Sequence, residues 1–343
     1  MEILESYSIS QWILFFYFYC FIGWIWESCY VSYEEKHWVN RGFLKGPMLP
    51  IYGFGAIIIL LAVVPVKDNI IHVFIFGMIA ATLLELVTGI LMEKIFNVRY
   101  WDYTNEKFNY KGYICLLCSL AWGGFSILMI KVIHPIVDHL FGNLSIKTIN
   151  IVIVIISILF IGDVIKSFYA AIDLKNLLLN LTENNELIKG VKNKLEAAQA
   201  FISEDLKDIE IKFKEKVELP LDNKEVLKKA IIITKESFEK LIERIKNARL
   251  EKLQGISDKI NMYIDKLEVR SDKSQIYQHK LKSELSEALT KLKKSKKLIE
   301  LSNNKIYKNS LNILKRNPKA KTYKYSEALD EIKKHIIKKD KNK

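Results

Sequence analysis

Five apolar stretches crowd the first half of this chain, and no other feature restricts its fold as much. Crossing the hydrocarbon core of a bilayer takes roughly 20 mostly apolar residues. Residues 9–31, 48–66, 70–92, 113–133 and 148–171 have that length and character. Backbone polar groups in lipid must be satisfied internally, so each stretch is expected to form a helix. The fold class that follows is all-α, a polytopic membrane helical bundle of five spans. The leading residues MEILESYSIS carry no basic n-region, so the first stretch is read as a span and not as a signal peptide.

Charge divides the chain near residue 172. Residues 1–172 hold 11 Lys and Arg against 12 Asp and Glu, whereas 173–343 hold 41 against 27. The formal net charge of +13 therefore belongs to the second half. Two domains are expected, a transmembrane domain over 1–172 and a basic helical domain over 173–343. In the connections between the stretches, Lys36, Arg41, Lys45, Lys94, Arg99, Lys107 and Lys111 gather on one side. The opposite side offers Lys67 and Lys147, with Lys131 at a span end. The positive-inside rule then places the N-terminus outside and the C-terminus in the cytoplasm of a bacterial inner membrane.

The second half has helical periodicity nearly throughout. Leu174, Leu178, Leu181, Ile188, Val191, Leu195, Ala198, Ile202 and Ile209 recur at intervals that suit one helical face. Pro220 interrupts, and the pattern resumes with Leu227, Ile231, Phe238, Leu241 and Ile245, then Leu253, Ile256, Ile260, Tyr263 and Leu267. A third run, Leu281 to Ile306, ends at Asn317-Pro318, and Ser326 opens a short helix. Such spacing with polar filling is expected of a coiled coil or an antiparallel helical hairpin. The lysines are spread along these helices, which favours a solvated surface attracted to anionic lipid over a nucleic-acid site.

Four cysteines give no disulfide framework, and the Cys115–Cys118 CxxC has no second pair to complete a zinc site. Cys115 and Cys118 are read as small buried residues at the start of a span, and no metal or other cofactor is expected. No GxxxxGK[ST] occurs, so ATP-driven work would need a separate ATPase subunit. No Ser/His pairing or zinc motif points to catalysis, so no catalytic residue is assigned.

The polar residues within the spans mark the candidate site. Gly77, Ala81, Glu85, Gly89 and Glu93 follow one another at i+4 steps, placing carboxylates on a face of small residues where another helix can approach. Glu27 and Asp163 occupy comparable places in the first and fifth spans. Ionisable groups in a bilayer face the bundle interior and are expensive without a partner. Two readings stay open for Glu85, a functional pathway or an anchor for helix packing. The stretch NRGFLKGPMLPIYGFG puts four glycines and two prolines at the entrance to the second span. Pro47 and Pro50 suit a first helical turn, and Gly53 and Gly55 suit close contact. Arg41 and Lys45 beside that helix start call for a carboxylate. Arg41, Glu27 and Glu85 are expected to converge, with the glycine/proline segment packed around them.

RGFLKGPMLPIYGFG, with ATLLELVTGILMEKIFNVRYWDYTNEKFNYKGYICLLCSLAWG at 81–123, resembles the ABC-transporter type IV permease family, also called CmpB-like. The resemblance spans about residues 12–135 and rests on motifs in a common order, through Gly42, Gly46, Pro47, Pro50, Tyr52, Gly53, Trp101 and Asp102. It implies a multi-pass bacterial membrane protein with a transport role, and it brings no substrate. The tail lies outside it. Two functions are therefore carried forward. One is a transporter component worked by another chain's ATPase. The other is a membrane-anchored scaffold whose tail recruits cytoplasmic partners or a second copy of the chain.

Overall fold

The structure is a computed structural model that describes residues 7–204, 235–268, 275–301 and 304–337. Its first helix, α1 (Ile9–Glu35), begins at a capping box in which the Ser8 side chain accepts from the Gln11 backbone and the Gln11 side chain accepts from that of Ser8. It stops where Lys36 turns to φ 57°. After a non-helical segment, α2 (Pro50–Val63) starts on proline, where the missing N–H costs nothing, and tightens into a 3₁₀ turn at Val64–Val66. The Asn69 side chain caps α3 (Ile70–Phe96) by accepting from the amides of Ile71 and His72. A connection follows with a short antiparallel pair, β1 (Asn109–Tyr110) and β2 (Ile114–Cys115). Then α4 (Leu116–Leu128) passes through a π-helical turn at Met129–Ile133 into α5 (His134–Gly142). The long α6 (Ile146–Glu204) comes next, followed by α7 (Lys235–Glu268), α8 (Gln275–Leu301), α9 (Asn304–Arg316) and α10 (Ser326–Ile337).

Among the described residues, four helical stretches are long and apolar enough to cross a membrane: α1, α3, Leu116–Gly142 and the stretch from Ile146. Pro50–Val66 is shorter, because the glycine- and proline-rich residues before it stay non-helical. The burial pattern is inverted relative to a water-soluble bundle. On α3, Gly77, Ala81, Glu85 and Gly89 are buried while Ile71, Leu83, Val87 and Leu91 are exposed. Small and polar residues face protein and aliphatic ones face outward, as lipid-embedded packing requires. Gly77 shows why: a Cβ there would overlap the Ser126 side chain of α4.

The chain forms two units, one of Met1–Lys175 with Asn309–Ser326 and one of Asn176–Lys308 with Glu327–Lys343. Asn309–Ser326 packs within the first of these units although it is distant in the chain. In that unit α1, α2, α3 and α4 pack in sequence order. Phe15, Tyr19, Ile59, Leu60, Val73 and Met129 fill their core, and Leu14 and Tyr17 meet Ile149 and Ile153 of α6.

In the second unit, α7 and α8 run antiparallel, with Lys296 Nζ donating to Gln254 Oε1 at 2.8 Å and Lys246 Nζ to Asn304 Oδ1 at 2.7 Å. Ile188, Val191 and Leu195 of α6 join Leu253, Ile260, Leu281, Leu285 and Leu292 in one apolar core. Arg249 is buried there and its charge is not stranded. It donates to Glu331 Oε1 at 2.8 Å, to the Leu181 carbonyl at 2.8 Å and to Asn185 Oδ1 at 3.0 Å. The expected periodic positions Ile209, Pro220, Leu227 and Ile231 lie outside the described residues.

Candidate functional site

The non-helical segment between α1 and α2 is held by hydrogen bonds to its backbone. Ser32 Oγ accepts from the Val39 amide at 2.8 Å and Ser28 Oγ from the Arg41 amide at 3.1 Å. The Leu49 amide donates to the Cys20 carbonyl at 2.9 Å. Asp163 of α6 accepts from the amides of Lys45 at 3.2 Å and Gly46 at 2.6 Å. Irregular backbone beside lipid survives only when its groups are satisfied this way. The sequence reading looked to Glu27 and Glu85 for the carboxylate near this helix start, but Asp163 is the acid that meets these amides. Its reach follows from the fold, since α6 arrives more than a hundred residues later.

Glu27, Arg41 and Tyr52 meet at the junction of α1 and α2. Arg41 Nε lies 3.6 Å from Glu27 Oε2, and the Tyr52 hydroxyl donates to Glu27 Oε1 at 2.8 Å. Gly23, one turn before Glu27, makes room for the Tyr52 ring, which a Cβ there would overlap. Gly53 faces Cys20 and Phe16 of α1 in the same contact. The Tyr52 ring in turn lies 6.0 Å, centroid to centroid, from Trp122.

Glu85 is 6% exposed, and both of its oxygens are engaged. Tyr103 Oη donates to Oε1 at 2.9 Å and Trp122 Nε1 donates to Oε2 at 3.0 Å. These two aromatic donors replace the guanidinium that the sequence reading assigned to it. Tyrosine and tryptophan suit the place because each buries an apolar body and still offers one donor. Neither was singled out from the sequence. Both stand inside the WDYTN and SLAWG stretches, which was the only signal available, since a helix periodicity cannot show which distant loop closes on it.

Glu93 ends the α3 stripe against Arg99, whose Nε donates to Glu93 Oε2 at 2.6 Å. The Arg99 guanidinium lies over the rings of Tyr113 at 4.3 Å and Tyr323 at 4.6 Å. Trp101 Nε1 donates to the Tyr113 carbonyl at 3.0 Å, which holds the loop closed. The Asp102 side chain is only 1% exposed, 3.6 Å from Arg99 Nη1 and 2.7 Å from Lys321 Nζ. Burial pushes its carboxyl up, but hydrogen bonds from Lys321 and Thr104 outweigh that and hold it below the ordinary aspartate value.

Lys321 and Tyr323 belong to Asn309–Ser326, which seals this end of the first unit. Arg99 and Lys321 exchange backbone hydrogen bonds at 2.7 and 2.9 Å. Asn317 accepts from Arg41 Nη1 and donates to the Gly42 carbonyl at 3.0 Å. Arg316 donates to the Phe43 carbonyl at 3.2 Å, and Lys319 pairs with Glu34 at 2.7 Å. The segment therefore reads both loops of the motif region, from Glu34 to Phe43 and from Arg99 to Thr104. Sequence analysis saw Asn317-Pro318 only as a helix stop.

Cys115 caps the start of α4 by accepting from the Cys118 amide at 3.3 Å and is buried. Among the described residues, no group of three or more His, Cys, Asp or Glu is arranged to hold a metal ion.

The motifs that build these contacts lie in a stretch that is similar to a known family. Residues 14–168 match the family model described as "Putative ABC-transporter type IV". The match runs past the expected limit of about 135 into α6, so it takes in all five apolar helices and stops before the tail. No curated protein and no solved structure matches the chain. Its apolar helices, with the similarity to that membrane family, support a multi-pass membrane protein. In terms of that family, Glu27, Arg41, Glu85, Trp101 and Asp102 all fall within the matched region, whereas the partners contributed by 309–326 fall outside it.

Proposed function

We propose that the chain is the membrane component of a transporter, worked by an ATPase on a separate polypeptide. The observation that carries this reading is Glu85, an acid lodged in the helix bundle between two aromatic donors and linked through Trp122 and Tyr52 to the Glu27–Arg41 pair. An ionisable group held at such cost in a membrane protein is by default a functional site. Five spans with the N-terminus outside would put this network at the cytoplasmic end, where an ATPase subunit would act. Purification of the full chain from its native membranes tests the reading. An ATP-hydrolysing subunit should co-purify, and Glu85→Gln should abolish the transport it drives. Reporters fused after Lys45 or Lys107 should read cytoplasmic, and one at Asp68 external; the reverse pattern would overturn the orientation.

A second reading, a membrane-anchored scaffold, is favoured by the second unit. Its helices bury their own apolar core and have no counterpart in the family match. If no ATPase co-purifies and partner recruitment depends on residues 176–308, the scaffold reading replaces the first.

A further inference from the structure

A cavity of about 460 Å³ opens at the other end of the first unit, within the range of small-molecule sites. The start of α1, the 3₁₀ turn after α2, the π-helical turn and the start of α5 line this open cavity, with Lys67, Lys131, His134 and Asp138 among its lining residues. Gln11 also lines it. It stands sixteen residues before Glu27 on α1, which at the helical rise of 1.5 Å per residue is about 24 Å away. The cavity is therefore separate from the Glu27–Glu85 network.

Three observations bear on what it holds. First, the imidazole is already engaged. His134 is buried, with Tyr19 Oη at 3.0 Å from Nδ1 and Tyr7 Oη at 3.4 Å from Nε2. Second, among the described residues neither Lys67 nor Lys131 has an ion-pair partner. Third, Lys131 sits in the π-helical turn that interrupts Leu116–Gly142, and such turns are frequent at functional sites. Two ammonium groups therefore line one cavity with a single carboxylate, Asp138, which leaves the lining with a net positive charge.

We propose that this cavity binds a small oxyanion, a phosphate or carboxylate group held by the Lys67 and Lys131 ammonium groups. Lysine supplies compact point charges with rotatable donors, suited to an oxyanion of no fixed orientation. The oxyanion has two sources, a dissolved molecule or the phosphate of a lipid headgroup. Binding here requires no ATPase and no transport, so a chain that proves to be a scaffold would still show it.

The test uses the full chain in phosphatidylcholine nanodiscs, with thermal unfolding followed as inorganic phosphate is added at constant ionic strength. A ligand bound only to the folded state raises the midpoint in a saturable way. Lys67→Gln and Lys131→Gln should each weaken the apparent affinity about tenfold, the loss of one charged hydrogen bond. Lys67→Arg and Lys131→Arg should retain binding, and Lys147→Gln, outside the cavity, should match wild type. If discs containing phosphatidylglycerol abolish the phosphate response of the wild type, the headgroup is the natural occupant. If the response survives in those discs, a dissolved anion is. The proposal is overturned if phosphate gives no saturable shift and phosphatidylglycerol stabilises wild type and the glutamine variants equally. It is also overturned if the Lys67→Gln/Lys131→Gln double variant responds to phosphate like the wild type.

Discussion

Asn317 accepts a hydrogen bond from Arg41 across 276 residues of chain, and its amide also donates to the carbonyl of Gly42. It is 1% exposed. One side chain thereby satisfies two groups of the motif loop, where the backbone is irregular and cannot satisfy itself. Replacing it with leucine leaves both without a partner. Asn317→Leu should lower stability by about 1–3 kcal/mol, and limited proteolysis should cut within 309–326 faster than in wild type. Equal cleavage rates would show that the segment is held by other contacts.

Glu85 can be probed by separating charge from hydrogen bonding. Trp122 can only donate, whereas the Tyr103 hydroxyl can also accept. A glutamine can therefore present its oxygen to Trp122 and its amide nitrogen to Tyr103. Glu85→Gln should lie within about 1 kcal/mol of wild type in stability, while Glu85→Leu orphans both donors at about 1–3 kcal/mol each. Thermal unfolding in detergent measures both. A glutamine variant as unstable as the leucine variant would show that the negative charge itself holds the fold.

Asp102 makes the first unit sensitive to acid. Its carboxyl titrates below the unfolded value of about 3.9, because Lys321 and Thr104 stabilise the charged form more than burial penalises it. Its contribution to stability is therefore complete above that unfolded value and is lost as pH falls through the folded one. The difference in unfolding midpoint between wild type and Asp102→Asn should be largest near neutral pH and shrink below about pH 4. A difference that grows on acidification would have the wrong sign for this linkage.

Two glycines on neighbouring helices make a matched pair. Gly77 faces Ser126 with no room for a Cβ, whereas Gly124 has nothing within 4 Å of that position. Gly77→Ala should destabilise by about 1–3 kcal/mol through overpacking, and Gly124→Ala should stay within about 0.5 kcal/mol of wild type. Unfolding midpoints of the two variants in one detergent decide the matter; equal effects would mean that α3 and α4 shift apart at little cost.

By itself the sequence determined the helices and their environment. A run such as ISQWILFFYFYCFIGWIWESCYV has one low-energy outcome in a bilayer, because only a helix satisfies its backbone there. Local chemistry also set the ends: Ser8 with Gln11 at the start of α1, Pro50 at α2 and Asn69 at α3. The stripe from Gly77 to Glu93 was legible as a buried face, since helical periodicity alone decides which residues share one.

Tertiary structure decided which groups meet the buried charges. Glu85 found Tyr103 and Trp122, Asp163 found the amides of Lys45 and Gly46, and Arg41 found Asn317. These partners come from loops and from a segment late in the chain, where no periodicity links one residue to another. A buried carboxylate demands some donor, and that demand is written in the sequence. Which donor arrives depends on how the loops close and on where 309–326 returns, and only the packed fold contains that information.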